Sequence, residues 1–203
     1  MEYRAVGNRC AVDLKMLRLP ISHTEAKCIL IEKGFAVIDV DLIALARSCI
    51  NTSQYKRGAH PDEAPSVVDC SSFIKWLYSQ RGIWLPRRSI QQRDIGEPIN
   101  LCDVRVNDLV FASGRINYYN DNPRDGVGHV GIVTDKNTVI HASNRKTHVT
   151  EATLQKFAEG AKFRGARRFL PANEEVITLE IPSCQEVEIS DDIRWIILQS
   201  LKV

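Results

Sequence analysis

Apolar and polar positions alternate between two periods along this chain, and the changes of period mark its elements. Phe73, Ile74, Trp76 and Leu77 fall at helical spacing directly after the polar tetrad Asp69-Cys70-Ser71-Ser72. Asp and Ser accept hydrogen bonds from the free N–H groups of a first helical turn, so a helix is predicted to start at the tetrad and stop near Arg81-Gly82. Upstream, Ser22-His23-Thr24-Glu25 has the form of a capping box, giving a short helix over 23–33 ended by Gly34. Cys10 to Leu17 and Phe35 to Ile38 read as strands. Asp39 or Asp41 caps a helix carrying Leu42, Ile43, Leu45, Ala46 and Cys49.

Further on, Ser89 or its neighbour starts another short helix, and 107–112 is a buried strand by its short apolar run. Residues 114–127, rich in Asn, Asp, Gly and Arg, read as a long loop. The runs 128–133 and 138–142, joined by Thr134-Asp135-Lys136-Asn137, predict a hairpin. A helix over about 153–160 and a strand over about 166–170 follow. Glu175 to Ile181 alternates like a strand, and Ser190-Asp191-Asp192 caps a terminal helix with Trp195, Ile196 and Ile197.

Composition adds exclusions. A chain of 203 residues with 44% hydrophobic and 26% charged residues is an ordinary globular chain. A net charge of +2, with basic residues scattered, gives no reason to invoke nucleic acid or a membrane surface. No apolar run approaches the roughly 20 residues of a membrane span. The six cysteines (10, 28, 49, 70, 102, 184) form no C-x-x-C pair, so neither a metal site nor a disulfide frame is expected, and no cofactor is called for. Met1-Glu2-Tyr3-Arg4 does not open a secretory leader, so a cytoplasmic location is expected, with a removed leader or export by another route left open.

Chemistry concentrates at Cys70. A cysteine at a helix start feels the positive end of the helix dipole, which favours thiolate over thiol; the bland reading is a buried core cysteine. His129 and His141, 12 apart, lie in the two strands of the predicted hairpin, where neighbouring strands run about 5 Å apart. One imidazole can then bond the other, supplying a nucleophile, a base and an orienting group in the pattern of the cysteine proteases. His23 reads as a surface residue.

The motifs resemble those of the NlpC-type papain-like cysteine peptidases, many of which cut bacterial cell-wall peptides. Asp69-Cys70-Ser71-Ser72-Phe73 is similar to that family's Asp-Cys-Ser-Gly-Phe/Leu segment. Leu85-Pro86-Arg87 with Ser89 and Gln92 matches its Leu-Pro-Arg-x-Ser-x-x-Gln, and Asp108-Leu109-Val110-Phe111 its Gly-Asp-Leu-Val-Phe strand. Gly128-His129-Val130-Gly131-Ile132 and Val139-Ile140-His141-Ala142-Ser143 match its two histidine strands. The resemblance runs from about Asp41 to Leu170. It implies an α+β papain-like fold, with the nucleophile helix packed on a mainly antiparallel sheet. It implies a domain over 41–170, with 1–40 packed on it as an N-terminal extension and 171–203 as a C-terminal one.

By the same resemblance Cys70 is the nucleophile, His129 the base and His141 the residue that orients it. Tyr55 corresponds to the Tyr of a Pro-Tyr-x-Trp-Gly-Gly motif, altered here to Gln54-Tyr55-Lys56-Arg57-Gly58-Ala59. Asp69 and Ser71 help hold the substrate's free amine, alongside helix capping. The implied partner is a peptidoglycan stem peptide, cut between γ-linked D-Glu and a diamino acid. Two departures stand out: Ser72 replaces Gly where the helix packs closely, and the 114–127 loop is long. Arg115, Tyr118, Tyr119 and Arg124 make that loop either a substrate-binding segment or a plain connector. Other thiolate chemistry (amidase, thioesterase, acyltransferase) and a non-catalytic wall-binding module stay open as alternatives.

Overall fold

The computed structural model describes residues 2–171 and 176–201. In chain order the elements are β1 (Arg9–Asp13), α1 (His23–Glu32), β2 (Ala36–Ile38), α2 (Leu42–Ser48), β3 (Gln54–Tyr55), β4 (Val67–Val68), α3 (Cys70–Gln80) and α4 (Ser89–Asp94). They continue with β5 (Glu97–Ile99), β6 (Leu109–Ala112), β7 (His129–Val133), β8 (Thr138–Asn144), β9 (His148–Thr153) and α5 (Leu154–Phe157). Last come β10 (Phe163–Arg168), β11 (Val176–Glu180) and α6 (Ser190–Ser200). Contacts divide them into two units. One holds 1–40, 78–84 and 171–203; the other holds 41–77 and 85–170.

In the first unit the two flanks of the chain share a sheet. β11 lies between β1 and β2 and pairs antiparallel with both. Its Ile177 and Leu179 join Val12, Leu30, Ile193 and Ile197 in one buried cluster. The capping box of α1 is present, with the Glu25 carboxylate accepting the Ser22 N–H and the Ser22 hydroxyl accepting the Glu25 N–H. The expected strand through Leu17 ends at Asp13 instead. The Asp13 carboxylate accepts the Lys15 and Met16 N–H groups, and this local turn stops the strand. Glu175, the expected start of β11, lies outside the described residues.

The second unit is built on a six-stranded sheet in the order β5-β10-β6-β7-β8-β9, every pair antiparallel. This is the α+β architecture expected. Short strands β3 and β4 pair in parallel, and β4 runs directly into α3. Phe73, Ile74 and Leu77 of α3 are fully buried. Asp108 opens β6 and takes a bidentate ion pair from Arg168 (Nε to Oδ1 2.9 Å, Nη2 to Oδ2 2.7 Å). Asn107 stands where the family motif has Gly, and its φ of +71° explains the choice, because Asn tolerates left-handed backbone best after Gly.

The 114–127 segment is the long loop that its composition predicts, and it is held by hydrogen bonds of its own. Tyr118 and Val127 exchange both backbone hydrogen bonds (2.9 and 2.8 Å), and the Asn117 side chain accepts the Gly114 N–H at 2.7 Å. A short 3₁₀ turn, Pro123–Asp125, is capped by Asn122. The segment is also tied to α4, through Arg93 to the Asp125 carbonyl and Asn120 to Asp94. Tyr118 and Tyr119 remain exposed, with the Arg88 guanidinium 5.2 Å from the Tyr118 ring.

Candidate active site

Asp69 is the cap of α3. Its Oδ1 accepts the Ser72 N–H at 2.8 Å, and the Ser72 hydroxyl accepts the Asp69 N–H at 2.9 Å. The side chain that replaces Gly in the motif therefore folds back onto the helix start as half of a reciprocal cap. Cys70 follows immediately, so the helix begins at the candidate nucleophile. The Arg87 guanidinium holds this corner together. It donates to both Asp69 oxygens (3.1 and 2.6 Å), to the Ser71 hydroxyl (2.9 Å) and to the Ala59 carbonyl (2.6 Å). Gln92, fully buried, donates to the Ser71 and Pro86 carbonyls. Both carboxylate oxygens of Asp69 are thus engaged, with a Gly58 N–H added at 3.1 Å.

The Cys70 thiol donates to the Gly128 carbonyl, with Sγ 3.8 Å from the oxygen. That carbonyl belongs to the residue before His129. His129 and His141 meet across the β7–β8 pair, Nε2 of one 2.7 Å from Nδ1 of the other, their rings edge to face. The Phe157 ring stacks on His129 at 5.3 Å and stands edge-on to His141 at 5.0 Å, covering one side of the pair. The two histidines are same-face diagonal neighbours, and Gly131 lies between them. A Cβ on Gly131 would fall 2.4 Å from Val139 Cγ1 and 3.1 Å from His141 Cβ. Gly131→Ala is accordingly expected to cost roughly 1–3 kcal/mol through overpacking. Thermal denaturation measures that cost, and a Tm equal to wild type would mean that β8 gives way freely.

Electrostatics run against the sequence expectation at Cys70. Burial pushes the thiol up to about 12, and the Asp69 charge pushes the same way; the Val130 and Ser71 N–H groups and Arg87 oppose them without prevailing. Burial likewise holds His129 down to about 4. His141 is held down to about 3 by burial and then by His129. The helix start alone would favour thiolate; desolvation opposes it here and favours the uncharged forms of the thiol and of both imidazoles.

Tyr55 lies on β3, within the electrostatic reach of Cys70; burial first, then the electrostatic influence of Cys70 and Asp69, raises its phenol. Its N–H is accepted by Nδ1 of His148 at 3.0 Å. His148, Arg87, Gln92 and Phe157 are participants in this neighbourhood that the sequence pattern left without a role. Arg87 was visible as part of the Leu-Pro-Arg motif. His148 carried no signal beyond being a histidine seven residues after His141. Among the described residues no cluster of His, Cys, Asp and Glu could hold a metal ion. No helix among them is long and apolar enough to cross a membrane.

A family model described as the NlpC/P60 family matches residues 52–168, more than half of the chain. The chain belongs to the NlpC/P60 family. A Corynebacterium glutamicum protein named "probable endopeptidase" is 36% identical over 121 residues, covering 60% of this chain and 48% of its own length. A γ-DL-glutamyl hydrolase of Bacillus subtilis is 30% identical over 135 residues, 66% of this chain and 30% of that protein. The chain spans less than half the length of either relative. Among solved structures, an NlpC/P60 family protein from Bacillus cereus superposes with a TM-score of 0.54 at 24% identity, over 64% of this chain and 40% of that one. The NlpC/P60 domain of the peptidoglycan hydrolase SagA gives 0.50 at 26% identity, over 63% of this chain and 96% of that domain.

Proposed function

We propose that this chain is a cysteine peptidase that hydrolyses peptidoglycan stem peptides at a γ-D-glutamyl-diamino acid bond, with Cys70 as nucleophile, His129 as base and His141 as its orienting partner. The observation that carries the reading is the His129–His141 bond, set beside a helix-start cysteine in an NlpC/P60 fold. With Nε2 of His129 engaged by His141, Nδ1 is the ring nitrogen open to exchange a proton. His129 takes the Cys70 proton there as Sγ adds to the substrate carbonyl, and His141 steadies the imidazolium that forms. Backbone N–H groups at the start of α3 face the developing oxyanion, each worth roughly 3–4 kcal/mol. His129 then protonates the leaving amine, and the C–N bond breaks to leave a thioester. Water, deprotonated by His129, hydrolyses the thioester and restores the thiol.

Tyr55 lines the substrate site beside Cys70. The family resemblance gives the substrate's free amine to Asp69 and Ser71. Since Arg87 already neutralises that carboxylate, we read both first as supports of the Cys70 helix start.

The test is digestion of L-alanyl-γ-D-glutamyl-diaminopimelate by the purified chain, followed by mass spectrometry. Release of the free diamino acid, absent with Cys70→Ala, is expected; an uncut peptide would overturn the substrate assignment. The Bacillus subtilis relative favours a second reading, a γ-glutamyl bond in a glutamate polymer, and a γ-linked glutamate oligomer in parallel distinguishes the two.

The pH profile follows from the burial of the base. For the free enzyme, the acid limb of kcat/KM reports the base, which here stays unprotonated down to about 4. The limb is expected well below the ordinary histidine value of 6.5, and a limb at 6.5 would show His129 to be solvated. The sign for stability is the same on this side. The unfolded chain binds protons at 6.5 and the folded one does not, so stability is full above 6.5 and falls as pH drops toward 4. On the other side Cys70 stays protonated up to about 12, so stability present below 9 falls as pH rises past it.

A further inference from the structure

We propose that His148 is a positioning residue, whose imidazole sets where Tyr55 stands beside Cys70; the inference rests on the peptidase reading above. In an extended strand successive N–H groups point to opposite sides. The N–H groups of Gln54 and Lys56 go to the β4 side, to the Ser66 and Val68 carbonyls at 2.8 and 2.9 Å. The N–H of Tyr55 therefore points the other way, toward β9. A neighbouring strand would ordinarily offer a carbonyl there, but the acceptor is Nδ1 of His148 at 3.0 Å. As acceptor, Nδ1 is unprotonated and the ring proton sits on Nε2. β3 is only two residues long and has a ladder on one side alone, so this imidazole is its second anchor.

The backbone of His148 carries a cost that matches the role. Its φ is +50°, a left-handed conformation at the end of the β8–β9 turn, where Gly would sit without strain. A side chain is retained at that position, and its ring is the group that reaches Tyr55. The turn itself is closed by the Asn144 side chain, which accepts the Lys146 and Thr147 N–H groups. The same hairpin carries His141, paired with Thr150 two residues beyond His148. One hairpin thus carries both supports: His141 orients the base, and His148 orients the tyrosine.

The variants His148→Gly and His148→Asn test it. Gly suits the backbone and removes the acceptor, while Asn tolerates the same φ and returns an oxygen acceptor. In ¹⁵N-labelled wild-type protein, a scalar coupling across the N–H···N bond should link the Tyr55 amide to His148 Nδ1. His148→Gly should shift the Tyr55 ring resonances and lower kcat/KM roughly tenfold through KM, as expected for a lost binding contact. His148→Asn should recover most of both. In a Tyr55→Ala background His148→Gly should add nothing. Absence of the coupling, or a Gly variant with unmoved Tyr55 resonances, overturns the proposal. So does a loss of kcat/KM that persists in full without Tyr55. If the wild type leaves the tripeptide uncut, the substrate reading falls, and the coupling and the Tyr55 shifts still decide the role of His148.

Discussion

Cys70→Ala is expected to abolish turnover, and His129→Ala to lower kcat by on the order of 10⁶-fold, with the fold of both variants intact. His141→Ala should cost on the order of 10⁴-fold, because a displaced base still samples the productive orientation whereas a missing one cannot. The three residues act as a unit, so the double variant His129→Ala/His141→Ala should lose little more than His129→Ala alone. Burst kinetics on an activated ester, alongside circular dichroism, separates lost chemistry from lost structure. Equal residual activity in all three single variants would show that the roles are wrongly distributed. Cys70 should still be alkylated in His141→Ala, since the thiol is held by the helix start and the Gly128 carbonyl rather than by that histidine.

Arg168→Ala is expected to destabilise the second unit by roughly 3–5 kcal/mol. Removing the guanidinium strands the Asp108 carboxylate, whose side chain is 3% exposed, with the Arg105 N–H still donating to it. The pair sits at the start of β6, and Ala112 at the other end of that strand lies opposite His129. Activity should therefore fall at temperatures where the wild type is unaffected. The double variant Asp108→Leu/Arg168→Met should cost less than either single change, since no charge is then left buried. Urea denaturation of the wild type, Asp108→Leu, Arg168→Met and the double variant closes the cycle. Purely additive losses would mean that the ion pair contributes nothing of its own.

Much of the site could be read along the chain because its parts are local patterns. The cap of α3 needs only Asp69 and Ser72, three residues apart. The meeting of His129 and His141 needs only a hairpin whose turn is visible between them. What stayed hidden depends on distant partners. β9 is half-buried and polar, His-Val-Thr-Glu-Ala-Thr, and becomes a strand because β8 supplies its ladder. β5 contains Pro98 and is tolerated as a strand at the sheet edge, where a missing N–H goes unnoticed. The two-residue strands β3 and β4 are too short for any periodicity. The desolvation of Cys70 stayed hidden for a related reason. A helix start can be seen in six residues, whereas the desolvation that opposes it comes from the whole packed unit.

The sheet shared by the two flanks has a consequence for how the protein is made. Its middle strand, β11, is synthesised after every element of the second unit, while β1 and β2 leave the ribosome first. Those two strands have no partner between them until translation has passed Glu180, about 140 residues after β2. The order of synthesis therefore lets the second unit assemble while the flanking sheet still waits for its centre. A chain released before residue 176 would have Cys49, buried in the second unit, already resisting alkylation while Cys10, buried in the finished sheet, remains open to it.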